Sequence, residues 1–436
     1  MISKPRVLFI ADKWCASDIN NGFSEWEENL WRSLQAVDLA EVEIFHFDEY
    51  YQTNGIKGDG ALLKKIAEFQ PQLICLVIYK LPGSDYNVPT FETLETIKKD
   101  FSVSLFAIWG DLQLKEQVKI SEEILSFIDF NIFTATSAIF RRLKDREKYS
   151  YFWVPKNPQY FYNPNHPRDI DVSYLGSSKF DRLRIIEFLK LHGIKVYHTG
   201  GEREKNLTTA EFAEIFQRSK ITISFSRAVY VPVTNARTFE SMNCGALLLE
   251  EAGSETAKLF IPNVDYVPFF SSMDLLKKIQ YYLQNETRRA QIANRGYLKT
   301  QQHYSASRFW KIILDKMGNV IPAGIDDKIS EGLEPYQLDQ ADDQLILANW
   351  GKKTIELPWS RLSSLSAGQA WKLKITDWFC SYKLLYCIYI RYQRVTNGRF
   401  LFNCSYIIYK AAKYILPKRC SDRLVEIKKL YLKLIQ

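Results

Sequence analysis

Arg237 and Glu240 stand one helical turn apart in VTNARTFESMNCGALLLEE, a segment in which a polar turn, a helix and an apolar strand follow in order. Thr234 or Asn235 occupies the N-cap position, and Gly245 is placed to stop the helix. The first amides of such a helix have no partners within it and its N-terminus carries partial positive charge, so the turn is a ready site for a diphosphate. Arg237 in the first turn is unfavourable unless an anion binds there. Glu240 is well placed to accept hydrogen bonds from ribose hydroxyls. An ordinary amphipathic helix with exposed Arg and Glu has the same spacing, and composition alone leaves both readings open.

The surrounding elements must bring that turn to a cleft. In the first 150 residues RVLFIA, VEIFHF, LICLVIY, SLFAIW and FNIFTAT read as strands, with SEWEENLWRSLQAV, LLKKIAEF and FETLETIKKDF as helices between them. This alternation predicts a mainly parallel sheet covered on both faces. After the Pro- and Asn-rich loop PKNPQYFYNPNHPRD the pattern repeats. Strands are predicted at DVSYLGS, KVYHTG, KITISFS and ALLLEE, and helices at RLRIIEFLKLHG, TAEFAEIFQRS and ARTFESMNCG. LLKKIQYYLQN and RRAQIANRGYLKTQQHYSASRFWKII are closing helices. The expected division is an α/β domain over 1–157, a second over 166–316, a polar linker over 317–370 and a basic, aromatic helical tail over 371–436. In open α/β sheets ligands sit at the carboxyl ends of the strands, so the loops after each strand are where function is to be sought.

At 436 residues the chain exceeds one ordinary core, and 46% apolar with 25% charged residues is a globular composition. The N-terminal apolar run ends after five residues at Asp12, which reads as a strand and not as a signal peptide. No stretch approaches the roughly 18 apolar residues of a spanning helix. Seven scattered cysteines without a CxxC pair argue against a disulfide framework or zinc site and point to a reducing, cytoplasmic compartment. The first βα turn lacks GxGxxG, no GxxxxGK[ST] occurs, and a GxSxG elbow is unsupported, which disfavours dinucleotide, P-loop and hydrolase chemistry.

The pattern of Arg237, a hydrophobic pair, Glu240, Cys244-Gly245 and a hydrophobic strand resembles the donor-binding signature of GT-B glycosyltransferases, particularly the bacterial group with a spore-maturation-type domain. DVSYLGSSKFDRLRIIEFL, FQRSKITISFS, the C-terminal helices with His303 and Arg308, FQPQLICLVIY, FAIWGD and FWVPKNPQYF fall in the same order, over roughly residues 5–315. The resemblance implies two Rossmann-like domains with a cleft between them, the nucleotide donor on the second and the acceptor on the first. It gives Glu240 the ribose, Arg237 a nearby polar contact, and Gly176, Ser177 and Lys179 the phosphate-binding turn, with Arg182 close by. Pro232 departs from the pattern: many retaining members carry a glutamate there. His198 and Thr199 end a strand that should face the base, although a strand-end His is often only a satisfied surface residue. Arg227 enters the same cleft and is a candidate for neutralising phosphate.

Sugar transfer needs a general base, or a front-face route in which the leaving phosphate takes the proton. Asp12, Asp18, Glu25 and Asp111 are the base candidates; each residue type also commonly caps helices and turns. Asp169-Ile170-Asp171 spells a DxD, but it precedes a strand and no metal is expected from it. Phosphate charge is met instead by Lys179, Arg182, Arg227, Arg237 and a helix N-terminus, so no cofactor or metal is expected. The expected function is transfer from a nucleotide diphosphate sugar to a glycan or lipid-linked acceptor in cell-surface polysaccharide synthesis. An inactive sugar-nucleotide- or carbohydrate-binding protein on the same scaffold is the alternative.

From Trp371 onward 14 Lys/Arg face 3 Asp/Glu, so the tail carries +11 and the rest of the chain −3 of the net +8. Cations interleaved with Tyr, Trp and Phe suit an anionic membrane surface and a peripheral location at the inner face of the plasma membrane. A helical appendage packed on protein is the plainer reading. The near-neutral body offers no basic groove for nucleic acid.

Overall fold

The computed structural model describes residues 4–318 apart from 78–79, 111–114, 135–142, 177–179, 200–206, 226–232 and 253. They belong to one compact unit, Met1–Gln344. The remainder of the expected linker and the whole basic tail lie outside the described residues.

The first half contains β1 (Arg6–Ala11), α1 (Arg32–Val37), β2 (Glu41–His46), α2 (Phe47–Asn54), α3 (Asp59–Phe69), β3 (Leu73–Leu76), α4 (Phe91–Asp100), β4 (Ser104–Trp109), α5 (Lys115–Glu123), β5 (Phe130–Phe133) and β6 (Tyr149–Tyr151). The second has β7 (Ile170–Tyr174), α6 (Phe180–Leu191), β8 (Val196–His198), α7 (Thr209–Arg218), β9 (Ser219–Ser224), α8 (Ala236–Asn243), β10 (Leu247–Glu251), β11 (Val267–Phe269), α9 (Ser272–Gln284), α10 (Glu286–His303) and α11 (Ala306–Gly318). Two sheets result, ordered β2-β1-β3-β4-β5-β6 and β11-β10-β9-β7-β8. Every pairing in both is parallel. These are two Rossmann-like units, as the βα alternation predicts.

Each sheet reverses its winding next to its first strand, between β1 and β3 and between β7 and β9. Crevices open at such reversals, because the loops leaving the two neighbouring strands diverge to opposite faces. The loops after β1, β3, β7 and β9 are therefore the ones topology exposes to a ligand.

Local chemistry fixes the elements nearest those loops. Ser24 opens the helix that leads into α1, its Oγ accepting from Glu27 N at 3.1 Å. A π-helical turn, Glu27–Trp31, follows before α1. Such turns mark functional helices often, and this one stands directly after the first loop. Asn235 caps α8, accepting from Arg237 N at 3.2 Å. Gly245 stops α8 with φ +71°, where a Cβ would also strike Asn163 and Arg168. Arg168 donates to Phe216 O, Gln217 O, Ser219 O and Cys244 O, tying the C-terminal ends of α7 and α8 together.

The two sheets share core. Phe9, Leu30 and Leu34 of the first half pack in one apolar cluster with Phe239 and Phe260 of the second and with Phe309, Trp310, Ile313 and Leu314 of α11. Trp310 is fully buried, meets Phe9 edge-on at 5.6 Å and donates from Nε1 to Ser33 Oγ at 2.9 Å. Truncation to Trp310→Ala is expected to destabilise the protein by about 3–5 kcal/mol, the usual cost of emptying a buried Trp site. Urea unfolding checks this, and a loss under ~1 kcal/mol would show that α11 is not part of the cooperative core.

Candidate active site

Between the carboxyl ends of the two sheets lies a cleft of about 340 Å³. The first half lines it with Cys15, Asn21, Phe23, Glu25 and Asn29, and the crossover segment adds Phe161. The second half supplies Gly176, Thr199, Leu207, Thr209, Phe212, Asn235, Ala236, Arg237 and Glu240. Glu25 and Asn29 are four residues apart on one face of the helix that Ser24 caps. Asn29 Oδ1 accepts from the buried Asn157 amide at 3.3 Å, which fixes the crossover against that helix.

Beneath the cleft, Lys156 joins two of its lining carboxylates. Its side chain is wholly buried, and its ammonium donates to Glu240 Oε1 at 2.7 Å and to Glu25 Oε1 at 2.9 Å. One cation from the crossover thus holds a carboxylate from each half. Burial alone would push the Lys156 pKa down, but the two glutamates outweigh it and the net shift is upward. The ammonium is charged at neutral pH.

The two glutamates respond in opposite senses. Lys156 holds the Glu25 carboxyl below its ordinary range, ahead of the opposing cost of burial, and Arg237 adds to the effect. Burial raises Glu240, ahead of the attraction of Lys156. The neighbouring Glu25 charge adds to the rise of Glu240, and the Glu25 side chain is 51% exposed against 6% for Glu240.

Arg237 lies across Gly176: a Cβ there would come 2.7 Å from Arg237 Nη1 and 3.2 Å from the Tyr174 hydroxyl. The bare backbone at Gly176 leaves room for the guanidinium, whose end would have to shift for a Cβ. Arg182 approaches the same hydroxyl at 3.3 Å through Nη1. Arg237 Nε is buried without a hydrogen-bond partner among the described residues. Two cations therefore converge beside Gly176, in the turn to which the resemblance assigns phosphate, and one of them comes from the first turn of α8.

Of the residues singled out in the sequence, Gly176, Thr199, Asn235, Arg237, Glu240 and Glu25 come together in the cleft, and Arg182 stands beside them. His198 does not line it; its Nε2 lies 3.4 Å from Lys190 Nζ. Asp18 serves a turn, accepting from Asn20 N and Nδ2 at 2.9 Å each. Asp12 is pinned by Ser17 Oγ and Asn87 Nδ2, both at 2.8 Å, and so ties the loops after β1 and β3. Ser177, Lys179, Arg227, Pro232 and Asp111 lie outside the described residues. Asp169 and Asp171, the DxD pair, are engaged by Arg218 and Lys220 at 2.6 Å each, at the start of β7 and away from the strand's carboxyl end. Among the described residues no group of three or more His, Cys, Asp and Glu is arranged to hold a metal, and no helix is long and apolar enough to cross a membrane.

Lys156 is the residue that sequence reasoning missed. Its signal was a lone cation inside FWVPKNPQYF, an aromatic- and Pro-rich run at the domain crossover without any other charged residue.

An alpha-glucosyltransferase solved with UDP and a 13-mer DNA containing an A:G mismatch aligns at TM-score 0.53 and 11% identity, over 72% of this chain and 100% of that one. The fold is GT-B. HepE of Anabaena, solved with UDP and glucose, aligns at 0.49 and 12% identity over 72% and 100%. Sucrose-phosphate synthase of Thermosynechococcus elongatus aligns at 0.48 and 14% over 73% and 98%. Residues 182–315 match the family described as Glycosyl transferase-like. No curated protein sequence matches the chain. The matched residues cover α6 to α11, so the glycosyl transferase-like part of this GT-B chain is the half that carries Arg237 and Glu240.

Burial and the neighbouring Asp48 raise the Asp12 pKa to about 6, against which Ser17 and Asn87 work. A carboxyl raised in the folded state stabilises the fold while protonated and progressively less as pH rises from about 4 to 6. Asp12→Asn keeps acceptor capacity for Ser17 without the charge, so its stability relative to wild type should improve as pH rises from 4 to 7. Urea midpoints at several pH values test this; a pH-independent difference would remove Asp12 as the titrating group.

Proposed function

We propose that the chain is a glycosyltransferase that moves a sugar from a nucleotide diphosphate donor to a glycan or lipid-linked acceptor in cell-surface polysaccharide synthesis. The observation that carries this reading is the pairing across the cleft of Arg237 and Glu240, on the first turns of α8, with Glu25 from the opposite half. Glu240 accepts from ribose hydroxyls with the carboxylate oxygen that Lys156 leaves open. Arg237 and the N-terminal amides of α8 take the diphosphate. The acceptor hydroxyl attacks the anomeric carbon as the bond to the diphosphate oxygen breaks, and the electron pair leaves with the nucleoside diphosphate. The acceptor's proton goes to Glu25, which among the described base candidates lines the cleft and which Lys156 holds ionised at neutral pH.

Developing negative charge on the leaving group meets fixed cations and helix amides, so transfer is proposed to need no metal. Activity should survive a chelator, and activity lost to chelator and restored by manganese would overturn that step. The basic tail is proposed to bring the chain to anionic lipid, where a lipid-linked acceptor would lie; full-length protein that ignores anionic vesicles at low salt would refute this.

A thermal-shift panel of UDP, GDP, ADP and dTDP sugars identifies the donor, since saturation a hundredfold above Kd adds about 2.7 kcal/mol of stability. Glu240→Gln keeps an acceptor for Lys156 and gives up the charge, and it should weaken donor binding by about 1.5–3 kcal/mol. Unchanged affinity in a folded variant would sink the ribose assignment. Nucleoside diphosphate release separates a transferase from an inactive sugar-nucleotide binder, for which binding persists without release.

A further inference from the structure

Lys156 joins groups whose tasks differ. Glu240 is on α8 with Arg237, Glu25 begins the helix after the first loop, and Lys156 comes from the crossover, its ammonium 5.7 Å from the Phe161 ring. Cys15 lines the same cleft as an exposed thiol. With both glutamates ionised, the charges of Glu25, Glu240, Lys156 and Arg237 cancel. Lys156 and Arg237 both favour the charged form of Glu25, so in the empty cleft it is a weak base.

We infer that Lys156 is a positioning residue through which occupancy of the donor side sets how strongly Glu25 takes up a proton. The inference rests on the glycosyl-transfer reading, because the occupant is a nucleotide diphosphate sugar. Such a donor carries two negative charges to the N-terminus of α8, where Arg237 stands. In a partly buried site, new anionic charge within several ångströms offsets the pull of the cations on Glu25. Ribose hydroxyls donating to Glu240 meanwhile stabilise that carboxylate and lessen its demand on the shared ammonium. Glu25 then becomes the stronger base when a sugar is in place to be transferred. In the transfer step the acceptor O–H gives its proton to the Glu25 carboxylate, the oxygen bonds to the anomeric carbon, and the leaving diphosphate keeps the electron pair. Lys156 neither gives nor receives a proton.

Calorimetric titration of UDP-glucose into the full-length protein at pH 5.5, in two buffers of different ionisation enthalpy, counts protons exchanged on binding. UDP-glucose, a diphosphate diester, has no ionisation of its own near that pH. Wild type is expected to take up a fraction of a proton per molecule bound, Glu25→Gln to bind without uptake, and Lys156→Arg to retain it. Binding by wild type without proton exchange, or uptake that persists in Glu25→Gln, overturns the inference. If UDP-glucose does not bind wild type, the donor reading fails for that sugar, and the unliganded protein still tests Lys156. Without its cation the buried Glu240 keeps its proton more tightly, so the thermal midpoint of Lys156→Met should fall further below wild type as pH rises from 5 to 8. A gap that is constant with pH would show that Lys156 only fills space, and the inference would fail with it.

Discussion

A buried ammonium between two carboxylates is the interaction on which the rest of this structure depends. Removing Lys156 from water costs several kcal/mol, and one carboxylate at hydrogen-bond distance roughly offsets that cost without clear gain. Two carboxylates change the balance, which is why the lysine stays charged despite complete burial. They come from different halves of the chain, so the ammonium is satisfied only where the helix begun by Ser24 and the second turn of α8 approach the crossover together. The cleft is the space left beside that meeting point.

Topology supplies the approach and side-chain chemistry completes it. Both sheets reverse beside their first strand, so each offers one crevice at its carboxyl end. In the first, Asp12 with Ser17 and Asn87 binds the loops after β1 and β3 to each other. In the second, the bare backbone of Gly176 lets Arg237 lie on the turn after β7. The shared core of Phe9, Leu34, Phe309 and Trp310 then keeps the first half seated against the closing helix. A rigid link of this kind suits a site whose charges must meet within 3 Å across two domains.

Most of the fold was legible because its signals are local. Apolar runs of five or six residues separated by amphipathic helices can be read one segment at a time, and both parallel sheets follow from them. The elements that escaped are short or atypical. β6 and β11 have three residues each, and β11 contains Pro268, tolerable only because it lies at the sheet edge. α5 is highly polar and α2 follows β2 without a break, so neither presents a separate apolar period. The π-turn at Glu27–Trp31 lay inside a segment read as plain helix. Within the site, Arg237 and Glu240 were legible because spacing and capping are local properties of α8. Glu25 could not be separated from Asp12 and Asp18, since all three occupy the first loop or its border and only tertiary contacts sort them. Lys156 was out of reach for a stronger reason: its two partners are 131 and 84 residues away in sequence.

The cations of the cleft divide their work according to what already neutralises them. Lys156 is committed to two glutamates and is sealed from solvent, so its charge is spent within the protein. Arg237 makes no ion pair among the described residues, and its buried Nε has no partner there. It sits at a helix N-terminus, where a cation is disfavoured until an anion arrives. The asymmetry between a lysine paired with two glutamates and an arginine without an ion pair among the described residues, less than two helical turns of α8 apart in their points of contact, supports the proposed anionic ligand over an ordinary buried ion cluster.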